Sequence, residues 1–194
     1  MSDSNKGQIK QDCAPSRTVS DVKAEWFVMY KRVPYEVVEQ RLQEEHIECF
    51  VPRNLKIIKS RHGGTVRKEP IMTPYIFVHA THVEIQDFKR RNDMLQFIPS
   101  RSSARHSTMR VSDAEMMSFI KVCEANVNRT IVHSLEDIHL KEGAKVKIVG
   151  GQMDQVKGIV TTVNGYKRKR LVVGLGNFII VSAPLSSDVT YIES

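Results

Sequence analysis

The pattern of apolar residues changes once along the chain, and this change limits the fold more than any single motif does. From residue 25 to residue 123, strand-like apolar runs alternate with segments of helical period, as in an α+β domain. From residue 139 to residue 193, every apolar run is short, β-rich and bounded by turns, which predicts a small all-β barrel. We therefore predict an α+β fold, a sheet covered by helices and followed by a barrel. Residues 124–138 are the predicted linker, and the polar residues 1–24 are a predicted disordered tail.

Eight segments make up the predicted α+β domain. Five of them are predicted strands: WFVMYK, ECFVP, LKIIK, YIFVHA and LQFIP. Three have the helical period: YEVVEQRLQEEH, VEIQDFKRR and AEMMSFIKVCEA. Ser112 and Glu115 form a capping box before the last of these helices. The glycine turn RHGGT, residues 61–65, predicts a hairpin between its flanking segments.

Basic residues are clustered in this chain, which has a net charge of +7. One cluster extends from Lys56 to Lys68, a second from Lys89 to Arg91, and a third from Lys167 to Arg170. Such clusters suit binding to a polyanion, and they equally suit loops that only keep a protein soluble. Both interpretations stay open for each cluster.

The sequence carries no sign of a membrane or of an oxidising compartment. No apolar run approaches the roughly 20 residues that span a membrane, and the N-terminus lacks the apolar core of a signal peptide. The three cysteines lie far apart, which argues against a disulfide framework and against a zinc site. We therefore expect a cytoplasmic protein without a metal or another cofactor.

Three glycines in VKIVGGQMDQVKGIVTTV, residues 146–163, raise the question of a phosphate-binding loop. A Walker A loop requires GxxxxGK[ST] between a strand and a helix, but here the Lys-Ser/Thr pair is missing and a strand follows. We interpret Gly150 and Gly151 as the bend after the first barrel strand, and Gly158 as the close-packed start of the next. Neither a metal-binding nor a catalytic motif stands out elsewhere. The sequence predicts a binding protein rather than an enzyme.

Four features in this order resemble the NusG-type transcription elongation factors. They are the opening strand at residues 26–28, a helix followed by FVP at residues 50–52, the basic hairpin, and EPIMTPYIFV at residues 69–78. The stretch LKEGAKVKIVGGQMDQVKGIVTTV resembles the KOW motif that follows in the family. EPIMTPYIFV and the C-terminal NFIIVSAPLSSDVTYIE are more similar to specialised antitermination paralogues of the RfaH and UpxY types. The resemblance implies an NGN-type sheet covered by helices and a small SH3-like KOW barrel.

The resemblance also implies a mechanism. In the family, the N-terminal domain lays an apolar patch on the clamp helices of RNA polymerase and opposes pausing, and no bond is made or broken. The positions that match the family's polymerase contacts, or lie near them, are Tyr75, Phe77, Met72, Met29 and Tyr30.

One ambiguity concerns the strand that carries the two aromatic residues. Tyr75 and Phe77 share one face of this strand, and Ile76 and Val78 share the other. Either pair can be the one that packs on helices. We favour Tyr75 and Phe77 as the exposed pair.

Basic residues are implied to face nucleic acid, either non-template DNA or nascent RNA. They lie in the hairpin and at the end of the second helix: Arg61, His62, Arg67, Lys68, Lys89, Arg90 and Arg91. The polar His-Thr-Thr run of RfaH-type proteins is absent, and its counterpart is about residues 86–89. Binding through phosphate charge, with little choice of sequence, is therefore expected.

The KOW loop is implied to recruit a further partner. Met153 stands where many members carry a Phe that contacts a ribosomal protein or the terminator Rho. Methionine is apolar and adaptable, so we expect Met153 at an exposed loop tip to contact such a partner, together with Lys167 and Arg168.

These features predict a monomeric, specialised antitermination factor that binds RNA polymerase, in the setting of a surface (capsular) polysaccharide operon. Two alternatives stay open. One is a general NusG-type elongation factor, and the other is a ribosome-associated RNA-binding protein with a KOW barrel.

Overall fold

A computed structural model describes residues 23–60, 63–100, 107–126, 128–134, 143–163, 165–176, 179–185 and 190–193. The predicted disordered tail, apart from its last two residues, lies outside this part of the chain. Within it, three helices are present: α1 (Tyr35–Glu44), α2 (His82–Arg91) and α3 (Asp113–Ala125). None of these helices is long and apolar enough to cross a membrane.

The described residues also form thirteen strands. They are β1 (Glu25–Lys31), β2 (Glu48–Phe50), β3 (Arg53–Ser60), β4 (Gly63–Pro70), β5 (Tyr75–Ala80), β6 (Leu95–Phe97), β7 (Arg110–Val111), β8 (Ile131–Ser134), β9 (Ala144–Val149), β10 (Lys157–Thr161), β11 (Arg170–Leu175), β12 (Ile179–Pro184) and β13 (Thr190–Glu193).

The first sheet is antiparallel and has the order β2-β5-β1-β6, with β7 also paired to β1. Its central strands β1 and β5 are almost continuously apolar, and such strands are buried on both faces. One face contacts α1 and α2 in a core that includes Phe27, Ile76 and Phe88. The other face contacts α3 in a core that includes Val28 and Phe119. The predicted sheet covered by helices is therefore present, and helices cover it from both sides.

The helices that cover this sheet start where side chains can cap them. The hydroxyl of Thr81 accepts a hydrogen bond from the Glu84 amide at 3.2 Å, and the Glu84 carboxylate accepts one from the Thr81 amide at 2.7 Å. Ser112 and Glu115 form the same reciprocal pair at the start of α3, which confirms the predicted capping box. These caps satisfy backbone donors that a helix start leaves unpaired.

The strands β3 and β4 form a separate two-stranded sheet, here called the hairpin. Eight residue pairs lie in register between them, from Arg53 opposite Pro70 to Ser60 opposite Gly63. The predicted hairpin is thus confirmed. Most of the described side chains on β4 are exposed.

The second sheet is antiparallel and has the order β13-β9-β10-β11-β12-β8. Four consecutive strands form a meander, β13 returns to the free edge of β9, and β8 pairs with the outer edge of β12. Strand β8 lies inside the predicted linker and was not predicted. Its apolar content is only Ile131 and Val132, and it forms because β12 offers an unpaired edge.

Helix α3 packs between the two sheets. One hydrophobic core contains side chains from the first sheet, from α3 and from the second sheet, with Phe77, Phe119 and Leu171 all fully buried. Polar contacts cross the same boundary: the Lys121 ammonium donates to the carbonyl of Asp154 at 2.8 Å, and the Gly176 amide donates to the Glu115 carboxylate at 3.3 Å.

Candidate functional site

Two tyrosines lie side by side at one end of the first sheet. Tyr30 of β1 is directly opposite Tyr75 of β5 in the antiparallel register. Because side chains alternate along a strand, both tyrosines lie on the face that α3 covers further along. The Tyr30 side chain is 43% exposed and Tyr75 is half-buried. This tyrosine pair is the accessible part of the predicted polymerase-binding set.

The other three residues of that set are buried. Phe77 is fully buried and its ring lies 5.3 Å from the ring of Phe119, so the prediction that Phe77 is exposed is wrong. Met72 lies in the same core. Met29 is buried on the opposite face of the sheet, against α1 and α2. The physical reason is that both faces of the sheet are covered, so neither alternating set of β5 side chains is free.

Tyr35, which the sequence analysis did not single out, supports the tyrosine pair. Its hydroxyl donates to the backbone carbonyls of Met72 and Tyr75, each at 3.2 Å. Burial raises the pKa of this phenol to about 12, so it stays a neutral donor. The two bonds fix the turn that leads into β5. The sequence contained a signal for the burial of Tyr35, because it lies three residues before Val38 and seven before Leu42, on the same face of α1.

The basic residues at the end of α2 are partly neutralised. Arg90 pairs with Asp87, and Arg91 pairs with Glu45 of the segment after α1. The Lys89 ammonium lies over the ring of Phe97, 4.2 Å from its centroid, and burial lowers the pKa of Lys89. A cavity of about 530 Å³ opens beside them, lined by Val83, Gln86, Asp87, Lys89, Arg90 and Phe97. Phe97 was not among the predicted site residues.

The hairpin presents cations with fewer counter-charges. Arg67 and Lys68 are exposed and form no ion pair within the described part of the chain, whereas Lys56 pairs with Glu69 at 3.0 Å. The predicted Arg61 and His62 lie outside the described residues. The hairpin also exposes apolar side chains, with Val66 at 61% and Leu55 at 38% exposure.

The predicted contact residue of the second sheet is not exposed. Met153 is buried, and its sulfur lies 3.3 Å from the side-chain amide nitrogen of Asn126. The prediction of an exposed loop tip is therefore wrong, because the loop between β9 and β10 packs against the end of α3. Lys167 and Arg168 are exposed in the segment before β11.

Arg170, the last member of that basic run, is buried instead. It donates to the hydroxyl of Ser182 at 3.0 Å and to the carbonyls of Ser182 and Arg129 at 2.8 and 2.7 Å. Its guanidinium also lies over the ring of Tyr166. This residue holds strands together, so the third basic cluster is shorter than the sequence suggests.

The glycine-rich stretch is a turn between strands. Gly150 and Gly151 have φ angles of 82° and 69°, which glycine adopts easily, and the Gly150 amide donates to the Asp154 carboxylate at 2.8 Å. That hydrogen bond is the main cause that lowers the pKa of Asp154. Strand β10 follows, as predicted, so the turn offers no helix N-terminus to a phosphate.

Comparison with known proteins identifies the family of the domain that contains the first sheet. The family model described as "Transcription termination factor nusG" matches residues 24–120, a span that contains the first sheet, the hairpin, α1, α2 and most of α3. No curated protein matches the chain. The matched region covers half of the 194 residues. The chain therefore belongs to the NusG family of transcription factors, whose members bind RNA polymerase.

Proposed function

We propose that this protein binds RNA polymerase during elongation and suppresses pausing and premature termination, without catalysing a reaction. The observation that carries the proposal is the NusG-family match over the domain that exposes the Tyr30–Tyr75 pair. Aromatic side chains that combine a large apolar area with a polar tip are common anchors at protein interfaces.

The proposed polymerase contact is the tyrosine pair, docked on the clamp helices. Tyr30 offers the more exposed ring, and Tyr35 fixes the turn that positions Tyr75. Phe77 and Met72 lie behind the pair in the core and support it. In the packed arrangement, Phe77 reaches a partner only if α3 and the second sheet move away.

The proposed nucleic-acid contacts are the exposed cations of the hairpin and the end of α2. Arg67 and Lys68 suit phosphates of non-template DNA or nascent RNA. At the end of α2, Lys89 and the half-buried Phe97 place a cation beside an aromatic ring, the combination on which bases of single strands stack. Because Arg90 and Arg91 already have carboxylate partners, they contribute less charge than their number suggests.

The second sheet is proposed to be the KOW barrel that the sequence resembles. A four-stranded meander with a fifth strand returning to its first edge supports a small barrel of this kind. We propose that it recruits a ribosomal protein or Rho through Lys167 and Arg168, and through Met153 once α3 no longer covers it.

The specialised role, antitermination in a surface (capsular) polysaccharide operon, rests on the similarity of EPIMTPYIFV and the C-terminal residues to RfaH- and UpxY-type paralogues. A general elongation factor would occupy polymerase at nearly all transcribed genes in chromatin immunoprecipitation. Occupancy confined to one or a few operons supports the specialised role.

Transcription in vitro through a terminator, with and without the protein, tests the core of the proposal. We expect more read-through with the wild-type protein. Replacing both tyrosines, Tyr30→Ala with Tyr75→Ala, is expected to weaken polymerase binding by about 2 kcal/mol or more while the domain stays folded. The matched control is Val37→Ala, an equally exposed apolar residue on α1, which should change neither binding nor read-through. Co-sedimentation with ribosomal subunits and no pull-down of polymerase would favour the ribosome-associated alternative.

A further inference from the structure

A short segment after α3 contacts both the hairpin and the second sheet. This segment, called the junction, consists of Asn126, Asn128, Arg129 and Thr130. Thr130 is buried, and its hydroxyl hydrogen bonds with the carbonyls of Val122 and Asn126, at 3.3 and 3.2 Å. The junction is therefore a compact extension of α3 rather than a loose linker.

On one side, the junction is fastened to the hairpin by two reciprocal hydrogen bonds. The side-chain oxygen of Asn128 accepts from the backbone amide of Leu55 in β3. The side-chain oxygen of Asn54 accepts from the backbone amide of Asn128 at 3.1 Å. Asn128 has a φ angle of 71°, a conformation that asparagine tolerates better than most residues. Its backbone is thereby bent so that its amide and its side chain both face β3.

On the other side, the junction is fastened to the second sheet. Arg170 of β11 donates to the carbonyl of Arg129 at 2.7 Å. The side chain of Asn126 contacts Met153, and one helical turn earlier Lys121 donates to Asp154 in the same loop. Three of the four junction residues, Asn126, Asn128 and Arg129, thus contact elements that belong to two different parts of the protein.

Among the described residues, the hairpin has few other attachments to the rest of the protein. At its base, Arg53 pairs with Glu39 of α1. The hydrogen bond from the Ile71 amide to the Pro52 carbonyl, at 3.0 Å, joins the two residues that flank the strands and closes the base of the hairpin. Beyond the base, both strands expose most of their described side chains. An isolated two-stranded hairpin is only marginally stable, so each attachment has a large influence on its orientation.

We propose that the junction couples the two parts: the Asn54–Asn128 pair holds the basic hairpin in one orientation only while the second sheet stays docked on α3. Undocking loosens the junction, and the hairpin becomes free to reorient towards its own partner. The coupling is a property of the fold and is testable whether or not the proposed function is correct.

Amide hydrogen exchange on the full chain tests this coupling. Asn128→Gly keeps the φ angle accessible and removes the side-chain acceptor, so we expect the hairpin amides, Leu55 above all, to exchange roughly fivefold faster. Asn128→Asp keeps the acceptor oxygen and should restore wild-type exchange. Amides of β1 and β5 should not change in either variant, which shows that the domain remains folded.

A second substitution separates coupling from a merely local role of Asn128. Lys121→Met removes the hydrogen bond to Asp154 but keeps the aliphatic stem, so it favours undocking of the second sheet. In the wild-type background it should speed exchange in the hairpin several-fold. In the Asn128→Gly background it should have no further effect there. Equal acceleration in both backgrounds, or hairpin exchange that does not respond to Asn128→Gly, would overturn the proposal.

Discussion

The central strands of the first sheet and the strands of the hairpin are similar in length but opposite in environment. Side chains at the centre of β1 and β5 are buried whichever face they lie on. Most described side chains of β4 are exposed, including the cations Arg67 and Lys68 directly after the exposed Val66. Strands in the first environment form the core of the domain, and those in the second leave most of their described side chains in contact with solvent. On β5, an aromatic side chain at the centre of the strand, Phe77, is therefore in the core, whereas Tyr75 at the end of the strand stays half-exposed.

The largest change in stability that this contrast predicts is the difference between the variants Phe77→Ala and Val66→Ala. Phe77 is fully buried, and its loss leaves a cavity against Phe119, so we expect the free energy of unfolding to fall by about 3–5 kcal/mol. Val66 is exposed, so its replacement should change stability by no more than about 0.5 kcal/mol. Urea denaturation followed by circular dichroism measures both. A stable Phe77→Ala variant that no longer binds polymerase would restore the original prediction of an exposed anchor.

The next test extends the contrast to the second sheet, using two glycines in strands. A Cβ on Gly158 would lie 2.5 Å from the carbonyl oxygen of Val172, while a Cβ on Gly174 would meet no atom within 4 Å. Gly158→Ala is therefore expected to destabilise the protein by about 1–3 kcal/mol, and Gly174→Ala to be tolerated. Thermal unfolding of both variants checks this. Equal melting temperatures would mean that β10 and β11 are not closely packed.

The sequence predicted those elements whose local signal is strong. The helical periods, the hairpin turn, the capping box at Ser112 and the strands β9 to β13 all follow from residues within one segment. The signal for two-sided burial was also present, because WFVM and YIFV are continuous rather than alternating apolar runs. Weighing that signal would have placed Phe77 in the core.

Other features depend on partners that are distant in sequence. Strand β8 has little apolar content and exists because β12 has a free edge. Met153 is buried because α3, which ends some 28 residues earlier in the chain, lies against its loop. Arg170 looks like one more exposed cation of a basic run, yet it is buried and donates a hydrogen bond to the Arg129 carbonyl just before β8. No local pattern contains these contacts, so periodicity alone could not predict them.

A smaller effect is expected at the base of the hairpin, where the two environments meet. Arg53 contacts Glu39 with two hydrogen bonds, and both side chains are about three-quarters buried. Arg53→Met leaves the carboxylate without its partner, and we expect a loss of about 1–2 kcal/mol with faster amide exchange in the hairpin. The matched control is Lys56→Met, whose exposed pair with Glu69 should contribute less than about 0.5 kcal/mol. If both variants behave alike, the hairpin is held by its backbone rather than by Arg53.

The smallest expected change in stability concerns β8, the strand at the edge of the second sheet. It pairs with β12 and also makes a side-chain contact with that strand, whereas most described side chains of β4 in the hairpin are exposed. His133 lies 2.8 Å from the Ser182 hydroxyl, and burial together with the nearby Arg170 guanidinium lowers the pKa of His133. The folded protein therefore favours the neutral imidazole. As the pH falls, His133 is protonated in the unfolded chain at a higher pH than in the folded protein. The contribution of His133 to the free energy of unfolding is fully present above the unfolded pKa of about 6.5. It is lost progressively as the pH falls below that value towards the folded pKa.

Thermal unfolding between pH 7.5 and pH 5 measures this dependence as a difference between variants. His133→Gln keeps a hydrogen-bonding group and does not titrate, so its stability should fall less over this range than that of the wild type. The control His46→Asn removes an exposed histidine at a position with a φ angle of 56°, and its pH dependence should follow the wild type. If the melting temperatures of the wild type and of His133→Gln depend on pH in the same way, the charge on His133 does not affect the pairing of β8. The position of β8 would then depend on its backbone pairing with β12 and on the Arg170 hydrogen bond to Arg129 just before it.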